Sequence, residues 1–510
     1  GADSMLASSA YLQHVPGDFI DGAFRPLSGE EITTRDPAQP SRVVWQGSPV
    51  PAHAEDAVAA ARRALPAWSG LPLDDRRAHL ERWRETCVRN AARLAAAIAR
   101  EIGKVRWEAE LEAKIVAEKV TITLEDRVLA RVAGFEVAAG AGKTGICRFK
   151  PHGVMAVLGP YNFPAHLPNG HIVPALLLGN TIVFKPSEKG ASVGQLLAEL
   201  ALEAGFPAGV FNVVQGGGAI ASRLASHPGV DGVLFTGSFP VGRRILERNL
   251  DTPGRLIALE MGGSNPAVVT AKADLRRAAI ECVRAAFATT GQRCTCTRRI
   301  IVEEGVADRF IPMVLRLASN LVIAAADDGV PAFMGPLVTA EARDSVLRAQ
   351  AAIAARGRLL LEASPLDRDG YFLSPGAVEV PAFAQGRGDE GGHEEEIFGP
   401  FVQFARARDL DDAIVQANAT QFGLAASLFS SDPSEWSRFF AECRAGCINW
   451  NTGTAGASSK LPFGGLGRSG NHRPAGAFAV DACAYPVASM VDTAELAIPQ
   501  GMLVDERLFT

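Results

Sequence analysis

A cysteine and a glutamate are the two residues with the clearest potential for chemistry. Cys294 lies in residues 291–296 (GQRCTC), and Glu260 lies earlier in the chain, in residues 259–263 (LEMGG). A thiolate is a strong nucleophile, and a nearby carboxylate can deprotonate the thiol or activate a water for a later step. Because the chain has eight cysteines, a buried and unreactive thiol is the competing interpretation. The pair indicates nucleophilic catalysis only if other motifs agree.

The composition indicates a globular protein that acts on small molecules. The 510 residues, with 47% hydrophobic and 21% charged residues, are enough for two or three domains. A net charge of −5 with scattered basic residues argues against nucleic-acid and anionic-membrane partners. No apolar run approaches the roughly 20 residues that cross a bilayer, and no secretory signal pattern is evident, so a cytoplasmic location is expected. The cysteines form no C-x-x-C pair, so free thiols and no metal site are expected.

The hydrophobic pattern predicts helices followed by two α/β regions. Residues 51–125 have apolar residues at helical spacing. From residue 153, short β-rich runs alternate with helical stretches, which is typical of parallel sheets with crossover helices. A glycine-rich and acidic segment, 380–396, is expected to be an exposed loop. The expected strands are 154–158, 182–184, 210–214, 232–235 and 256–259 in the first region, and 265–269, 299–302 and 401–404 in the second.

Polar residues follow the first two of these strands, at the carboxyl edge where parallel sheets bind ligands. The side-chain amide of Asn162 can donate to a developing oxyanion, although an asparagine in a proline-rich turn commonly bonds its own backbone. Lys185 and Glu188 offer a cation and a carboxylate for ribose hydroxyls, with a surface ion pair as the alternative. These turns therefore predict a ligand site.

A third turn, after the strand 232–235, contains small residues and a hydroxyl. Gly237, Ser238 and Gly242 place backbone amides at the start of an expected helix, where a pyrophosphate can bind. Two Gly-Pro-rich segments, 395–400 and 462–467, are less specific by themselves. The prediction of a catalytic and ligand-binding site depends on the occurrence of all these motifs in one chain.

In this combination and order, the chain resembles the aldehyde dehydrogenase superfamily from about residue 18 to about residue 490. The resemblance implies an α/β fold with a doubly wound NAD-binding domain, a catalytic α/β domain and a small β extension for oligomerisation. A homodimer or homotetramer is therefore expected. The implied domains are 1–125 with 151–260 for NAD binding, 261–450 for catalysis, 126–150 with 480–500 for the extension, and 451–479 for a substrate loop that returns to the NAD-binding domain.

The resemblance also implies a role for each motif residue. Cys294 is the nucleophile, Glu260 the base, and Asn162 joins the Cys294 backbone N–H in the oxyanion hole. The NAD residues it implies are Lys185 and Glu188 for the adenosine ribose, Gly237, Ser238 and Gly242 for the pyrophosphate, and Glu396 and Phe398 for the nicotinamide ribose. A carboxylate at Glu188 repels a 2′-phosphate, so NAD is expected in preference to NADP. Members that transfer the acyl group to coenzyme A commonly lack the glutamate, so Glu260 favours hydrolysis.

Further motifs resemble a branch of the superfamily that oxidises N-succinylglutamate 5-semialdehyde in arginine catabolism. They are residues 159–171, 292–296, 449–451, 456–459, 469–474 and 483–489. A substrate with two carboxylates needs cations or hydrogen-bond donors, and the candidates are Arg293, Ser458, Ser459 and His472. A structural ion pair is an equal alternative for Arg293. Lys460 and Arg468 lie where the family pattern has small residues.

Two other functions stay open at this point. One is the same chemistry on another acidic semialdehyde, such as glutamate 5-semialdehyde. The other is a non-catalytic binding protein that kept the fold, which the joint presence of Cys294, Glu260 and Asn162 disfavours.

Overall fold

A computed structural model describes residues 12–384 and 395–510. The start of the expected NAD-binding segment and most of the expected loop 380–396 therefore lie outside the described residues. The strands are, in chain order, β1 (Gly17–Ile20), β2 (Ala23–Pro26), β3 (Ile32–Asp36), β4 (Gln39–Gly47), β5 (Phe135–Ala138), β6 (Lys143–Pro151), β7 (Val154–Leu158), β8 (Thr181–Lys185), β9 (Phe211–Val213), β10 (Gly232–Thr236), β11 (Leu256–Glu260), β12 (Asn265–Val269), β13 (Thr297–Glu303), β14 (Arg358–Leu361), β15 (Gly376–Glu379), β16 (Phe401–Ala407), β17 (Phe422–Gly423), β18 (Ala425–Phe429), β19 (Cys447–Trp450), β20 (Pro462–Phe463), β21 (Leu466–Gly467), β22 (Ala475–Gly476) and β23 (Ala484–Asp492).

The helices connect these strands and cover the sheets. They are, in chain order, α1 (Pro51–Ser69), α2 (Leu73–Arg89), α3 (Ala91–Ile102), α4 (Arg106–Thr123), α5 (Asp126–Leu129), α6 (His166–Leu177), α7 (Ala191–Ala204), α8 (Gly218–Ser226), α9 (Phe239–Glu247), α10 (Leu275–Phe287), α11 (Glu304–Ser319), α12 (Ala340–Ala354), α13 (Leu410–Ala417) and α14 (Pro433–Glu442). Short 3-10 turns occur at Ala130–Val132, Ala288–Gly291, Ala479–Ala482 and Glu506–Phe509. Every strand expected from the sequence coincides with an observed strand, and helices fill 51–125 as expected.

The first large sheet has the strand order β11-β10-β7-β8-β9-β1-β2. The strands from β11 to β9 are parallel, and β1 and β2 continue the sheet in antiparallel orientation. Alternate residues of β7 enter two different cores: Met155 and Val157 pack with one set of helices, and Val154 and Ala156 pack with the other. Helices cover both faces, so this sheet is doubly wound.

The second large sheet has the order β14-β15-β16-β13-β12-β18-β19 and is parallel except at β14. Along β12, Val268 packs into one core while Ala267 and Val269 pack into the other. This sheet is also covered on both faces. The turns after the parallel strands of the first sheet, and the segments that precede β12, β13 and β16 of the second sheet, form the candidate site.

A three-stranded antiparallel sheet joins distant parts of the chain. β6 pairs with β5 and, from Lys143↔Asp492 to Pro151↔Ala484, with β23. Its strands lie in the segments expected to form the extension, and Phe135 and Met490 are 59% and 62% exposed. Its role between subunits stays a prediction. In the part of the chain that the structure describes, no helix is both long and apolar enough to span a membrane.

Candidate active site

The backbone around Cys294 is fixed by side chains from other segments. The amide of Asn265, at the start of β12, donates to the carbonyls of Cys294 and Cys296, each at 2.8 Å. The Thr454 hydroxyl donates to the carbonyl of Thr295 at 2.6 Å. The Cys294 side chain itself lies at a cavity and is partly exposed. The thiol is therefore presented from a rigid loop between the turn 288–291 and β13.

The turn before Cys294 has an unusual conformation. Thr289, Thr290 and Gly291 all have positive φ, at 55°, 57° and 72°. For the two threonines this left-handed backbone is unfavourable by about 1–3 kcal/mol each. Both carboxylate oxygens of Glu108 stabilise Thr289, one accepting from its N–H at 2.9 Å and the other from its hydroxyl at 2.6 Å. A Cβ on Gly291 would overlap the carbonyl oxygen of Gly399.

Asn162 connects the first sheet to this loop. It lies in the turn after β7, and its side-chain amide donates to the carbonyl of Gln292 at 3.0 Å. Gln292 is itself held, because its side-chain oxygen accepts from the N–H of Val338 at 3.2 Å. The Asn162 amide nitrogen carries two N–H groups, and this bond uses one of them. The assignment of Asn162 to an oxyanion hole stays a prediction.

Glu260 ends β11 and is 3% exposed. The neighbouring N–H of Met261 donates to the carbonyl of Ser469 at 2.8 Å. Among residues 12–384 and 395–510, the Glu260 side-chain oxygen Oε1 finds no hydrogen-bond partner. Burial raises the pKa of Glu260 to about 8, and the positive charge of Lys119 opposes this rise. A carboxyl group with this pKa can accept a proton near neutral pH.

The surroundings of Cys294 favour its neutral thiol. Burial raises the pKa of the thiol well above its usual value, and the negative charges of Glu260 and Glu396 raise it further. Cys296, two residues on, is fully buried and its pKa is also raised by burial. The thiolate of Cys294 therefore needs a proton acceptor or a nearby positive charge in order to form.

A cavity of about 480 Å³ contains both Cys294 and Glu260 in its wall. Three of the four predicted substrate residues, Arg293, Ser458 and Ser459, also line it, and so does Lys460. The fourth, His472, is not part of the lining: it has a left-handed backbone, with φ of 57°, in the loop 469–474. His472 thus lies outside the described cavity wall, and its role in substrate binding stays a prediction.

Arg293 was predicted either to contact the substrate or to form a structural ion pair, and its surroundings suit both roles. Its Nε donates to the Thr289 hydroxyl at 2.7 Å, and its guanidinium lies 3.9 Å from Glu108. It also lies over the Phe163 ring, 5.3 Å from the ring centre. Arg293 thus stabilises the turn before Cys294 and presents charge to the cavity.

Part of the cavity wall was missed by the sequence analysis. Helix α4 contributes Glu108, Glu112 and Lys119, and α6 contributes His166 and His171. Burial and nearby positive charges lower the pKa of His166 to about 3 and that of His171 to about 4, so both are neutral. The available signal was the spacing of these three charged residues on α4, which places them on one face of the helix together with Leu111 and Ile115.

The predicted adenosine residues lie together at the carboxyl ends of β8 and β9. The Lys185 ammonium donates to the carbonyls of Pro186 and Gly216 at 2.7 and 2.6 Å. Burial lowers the pKa of Lys185 to about 8, and the Glu188 carboxylate opposes this shift. A Cβ on Gly217 would lie 2.5 Å from a carboxylate oxygen of Glu188. Because Gly217 has no side chain, the turn after β9 can lie close to the Glu188 carboxylate.

The predicted pyrophosphate turn is joined to Glu260. Gly237 donates its N–H to the carbonyl of Glu260 at 3.0 Å, and Ser238 precedes the first turn of α9. A Cβ on Gly242 would overlap the sulfur of Met261. The helix α9 therefore packs closely on the residue that follows Glu260.

The predicted nicotinamide-ribose residues connect the second sheet to the same place. Glu396 accepts a hydrogen bond from the N–H of Gly263 at 3.0 Å, and burial raises its pKa. The Phe398 ring packs edge-on against Tyr161, with ring centres 6.1 Å apart. The predicted pyrophosphate turn and Glu396 thus both contact the segment 260–263.

Comparison with known proteins agrees with this arrangement. The profile of the aldehyde dehydrogenase family matches residues 24–486. The chain belongs to the aldehyde dehydrogenase family. This aldehyde dehydrogenase is 44% identical, over 94% of its length and 100% of the relative, to the N-succinylglutamate 5-semialdehyde dehydrogenase of Novosphingobium aromaticivorans. It is 42% identical to the protein of the same name from Ectopseudomonas mendocina, over 92% of its length and 96% of that protein.

Solved structures show the same fold. A 1-pyrroline-5-carboxylate dehydrogenase from Thermus with bound NAD superposes with a TM-score of 0.87 and 28% identity, covering 94% of this aldehyde dehydrogenase and 93% of that chain. The predicted fold class and the predicted aldehyde-oxidising activity are both confirmed. The choice between NAD and NADP stays a prediction, which depends on Glu188.

Proposed function

We propose that this aldehyde dehydrogenase oxidises N-succinylglutamate 5-semialdehyde to N-succinylglutamate, with NAD as the hydride acceptor and water as the acyl acceptor. The observation that supports the chemistry is the meeting of Cys294 and Glu260 in one cavity, with Asn162 bonded to the loop that carries the thiol. The substrate is supported by two relatives of that name that match nearly the whole chain.

In the first half-reaction, the Cys294 thiolate attacks the aldehyde carbon and a C–S bond forms. The carbonyl oxygen becomes an oxyanion, which the free N–H of Asn162 and the backbone N–H of Cys294 stabilise. NAD, when bound, supplies the acceptor for the hydride that leaves this carbon. The carbon is thereby oxidised to a thioester on Cys294.

In the second half-reaction, Glu260 accepts a proton from water as the water attacks the thioester carbon. The C–S bond breaks, the carboxylic acid leaves, and the thiolate of Cys294 is restored. Because the pKa of Glu260 is raised to about 8, the carboxylate is a much stronger base than an exposed glutamate. The role of general base in hydrolysis is therefore assigned to Glu260.

The residues present fit a dinucleotide cofactor. Glu188 lies beside a glycine turn that leaves room at the carboxylate, Lys185 retains one donor after its two carbonyl bonds, and α9 offers the N–H groups of its first turn for a pyrophosphate. A carboxylate that accepts ribose hydroxyls repels a 2′-phosphate. We therefore assign NAD as the preferred cofactor.

The substrate carboxylates are assigned to the cavity wall formed by Arg293, Lys460, Ser458 and Ser459. Arg293 is partly neutralised by Glu108 at 3.9 Å, whereas Lys460 lies in the exposed loop and donates its backbone N–H to Ser458 at 3.2 Å. An extended substrate can place one carboxylate near Arg293 and the other near this loop. Glutamate 5-semialdehyde, the acidic alternative, has only one carboxylate and uses only one of these positions.

The proposal includes the oligomeric state and the cellular location of the enzyme. The exposed apolar residues of the sheet β5-β6-β23, such as Phe135 and Met490, support a homodimer or homotetramer in which this sheet meets a second copy. The balanced surface charge and the free cysteines support a cytoplasmic enzyme.

The test follows NADH absorbance with NAD and each of two substrates, N-succinylglutamate 5-semialdehyde and glutamate 5-semialdehyde. We expect a kcat/KM at least about 100-fold higher for the succinylated compound, since a lost charged contact in a buried site is worth about 3 kcal/mol. Cys294→Ala must remove the rate with both. Equal turnover of both, or turnover of neither with other aldehydes oxidised, would reject the substrate assignment.

A further inference from the structure

Lys119 is a buried cation in the wall of the catalytic cavity. It lies on α4, is 2% exposed, and lines the same cavity as Glu260 and Cys294. Its ammonium donates to the carbonyl of Gly476, on β22, at 2.6 Å. This bond uses one of three N–H donors.

The charge of Lys119 is not neutralised by a direct ion pair. Within the described residues, no carboxylate lies within 4.0 Å of its ammonium; by contrast, Lys104, equally buried on the same side, lies 2.6 Å from Glu112. A buried ammonium without a partner is costly. Burial accordingly lowers the pKa of Lys119 to about 8, and the negative charge of Glu260 opposes this shift. The carboxylate that Lys119 interacts with through space is thus the proposed base.

We propose that Lys119 is a positioning residue for hydrolysis: its ammonium favours the carboxylate form of Glu260, the form that accepts the proton of the attacking water. The inference rests on the role proposed above for Glu260. It is supported by the placement of both groups in one cavity and by the unpaired oxygen Oε1 of Glu260. A water held between an open Lys119 donor and Glu260 would satisfy both groups.

The other titratable groups around this pair do not supply the same charge. Glu260 interacts with Lys119, Cys294 and Cys447. Lys119 interacts with Glu260 and Cys483 and with two histidines, His166 and His171. Burial keeps these cysteines and histidines neutral at pH 7. Among these groups, Lys119 is therefore the cation that acts on Glu260.

The direction of the effect follows from electrostatics. A nearby positive charge favours the ionised form of a carboxyl group, by about 1–3 pH units at close range. Replacement of Lys119 by a neutral residue must therefore move the ionisation of Glu260 to higher pH. Hydrolysis of the acyl-enzyme then slows at pH 7 and recovers as the pH is raised, whereas thiol attack and hydride transfer keep their rates.

The experiment compares Lys119→Met with Lys119→Arg, which keeps the charge. The matched control is Lys114→Met, on the same helix but 72% exposed at its side chain and 3.8 Å from Glu118. Two rates are followed from pH 6 to pH 10: steady-state hydrolysis of p-nitrophenyl acetate without cofactor, and the NADH burst with a simple aldehyde. The ester reports on Cys294 and Glu260 whatever the natural substrate is, so a failure of the substrate assignment leaves this test intact.

For Lys119→Met we expect the midpoint of acyl-enzyme hydrolysis to rise by at least about 0.5 pH unit, with a fall of at least 3-fold at pH 7 and an unchanged NADH burst. Lys119→Arg and Lys114→Met keep the original midpoint. A purely structural role through the Gly476 bond would lower the melting temperature and both rates without moving the midpoint. An unmoved midpoint in Lys119→Met, or an equal displacement in Lys119→Arg, overturns the proposal. If Lys119→Met does not fold, Lys119→Gln carries the same expectation.

Discussion

Asn162 donates its side-chain amide to the backbone carbonyl of Gln292 at 3.0 Å, two residues before Cys294. The same amide nitrogen has a second N–H, which the proposed mechanism assigns to the substrate oxygen. Asn162 thereby connects the turn after β7 to the loop that carries Cys294.

Asn162→Ala is expected to lower kcat by about 100- to 1,000-fold, the usual effect of removing one oxyanion donor. The matched control is Asn169→Ala, which removes a fully buried asparagine whose amide donates to the carbonyl of Val116 at 2.9 Å. Both variants should lose stability, since each leaves a buried carbonyl without its partner. Steady-state kinetics and thermal melting distinguish them: an equal loss of kcat in both would contradict the role of Asn162.

The rate of hydrolysis should follow the ionisation of Glu260. Because burial raises its pKa to about 8, the base is mostly protonated at pH 7, and the rate should rise about tenfold per pH unit below pH 8 and level off above it. The measurement is kcat against pH with an ester substrate, for which hydrolysis limits turnover. Glu260→Gln should be slower by at least about 100-fold and lack this rise. A profile that levels off near pH 5 would be inconsistent with the buried base.

Glu260 should also influence the reactivity of Cys294. Its negative charge raises the pKa of the thiol, so Glu260→Gln should move the pH profile of iodoacetamide alkylation of Cys294 to lower pH. The position of alkylation is read by peptide mass spectrometry, and Cys294→Ala supplies the background. A shift to higher pH would mean that Glu260 acts on the thiol chiefly as its base.

Cofactor preference should depend on Glu188. Glu188→Gln keeps a hydrogen-bonding side chain but removes the charge that repels a 2′-phosphate. We expect the ratio of kcat/KM for NAD to that for NADP to fall by at least about 10-fold, mainly through KM for NADP. Glu203→Gln, at the partly exposed Arg89 ion pair of 3.5 Å, is the charge control. An unchanged ratio in Glu188→Gln would show that Glu188 does not determine the cofactor preference.

Gly291→Ala should damage the nucleophile loop. The glycine has φ of 72°, and a Cβ there would overlap the carbonyl oxygen of Gly399. We expect a loss of at least about 2 kcal/mol in the free energy of unfolding, since neither the conformation nor the space suits alanine. Denaturant unfolding measures it, with Gly305→Ala, at an open site on α11, as the control. Equal stability of the two variants would show that the loop can move.

The sequence predicted the parallel strands and the motif turns because the signals are local. Each strand is a short apolar run, and Asn162, Lys185, Gly237 and Glu260 follow or end such runs. The carboxyl ends of parallel strands lie at one edge of a sheet, so the order of motifs sufficed to bring these residues together.

The remaining wall of the site depends on contacts between distant segments. The helical pattern of α4 indicates which residues share a face, but not that this face meets the loop 455–476, to which Lys119 bonds across 357 positions. The position of His472 outside this wall likewise depends on such contacts. A motif match gives the position of His472 in the chain but not which side chains surround it.

The neighbours of Glu260 have a consequence for synthesis on the ribosome. The N–H of Leu259 donates to the side chain of Asn471, 212 residues later, and Glu260 forms a β-bridge with Gly470. The strand that carries the base therefore lacks its outer neighbour until translation has passed residue 471. A nascent or prematurely terminated chain carries the cysteine without the finished surroundings of its base, so aldehyde oxidation with turnover begins only when the late residues are in place.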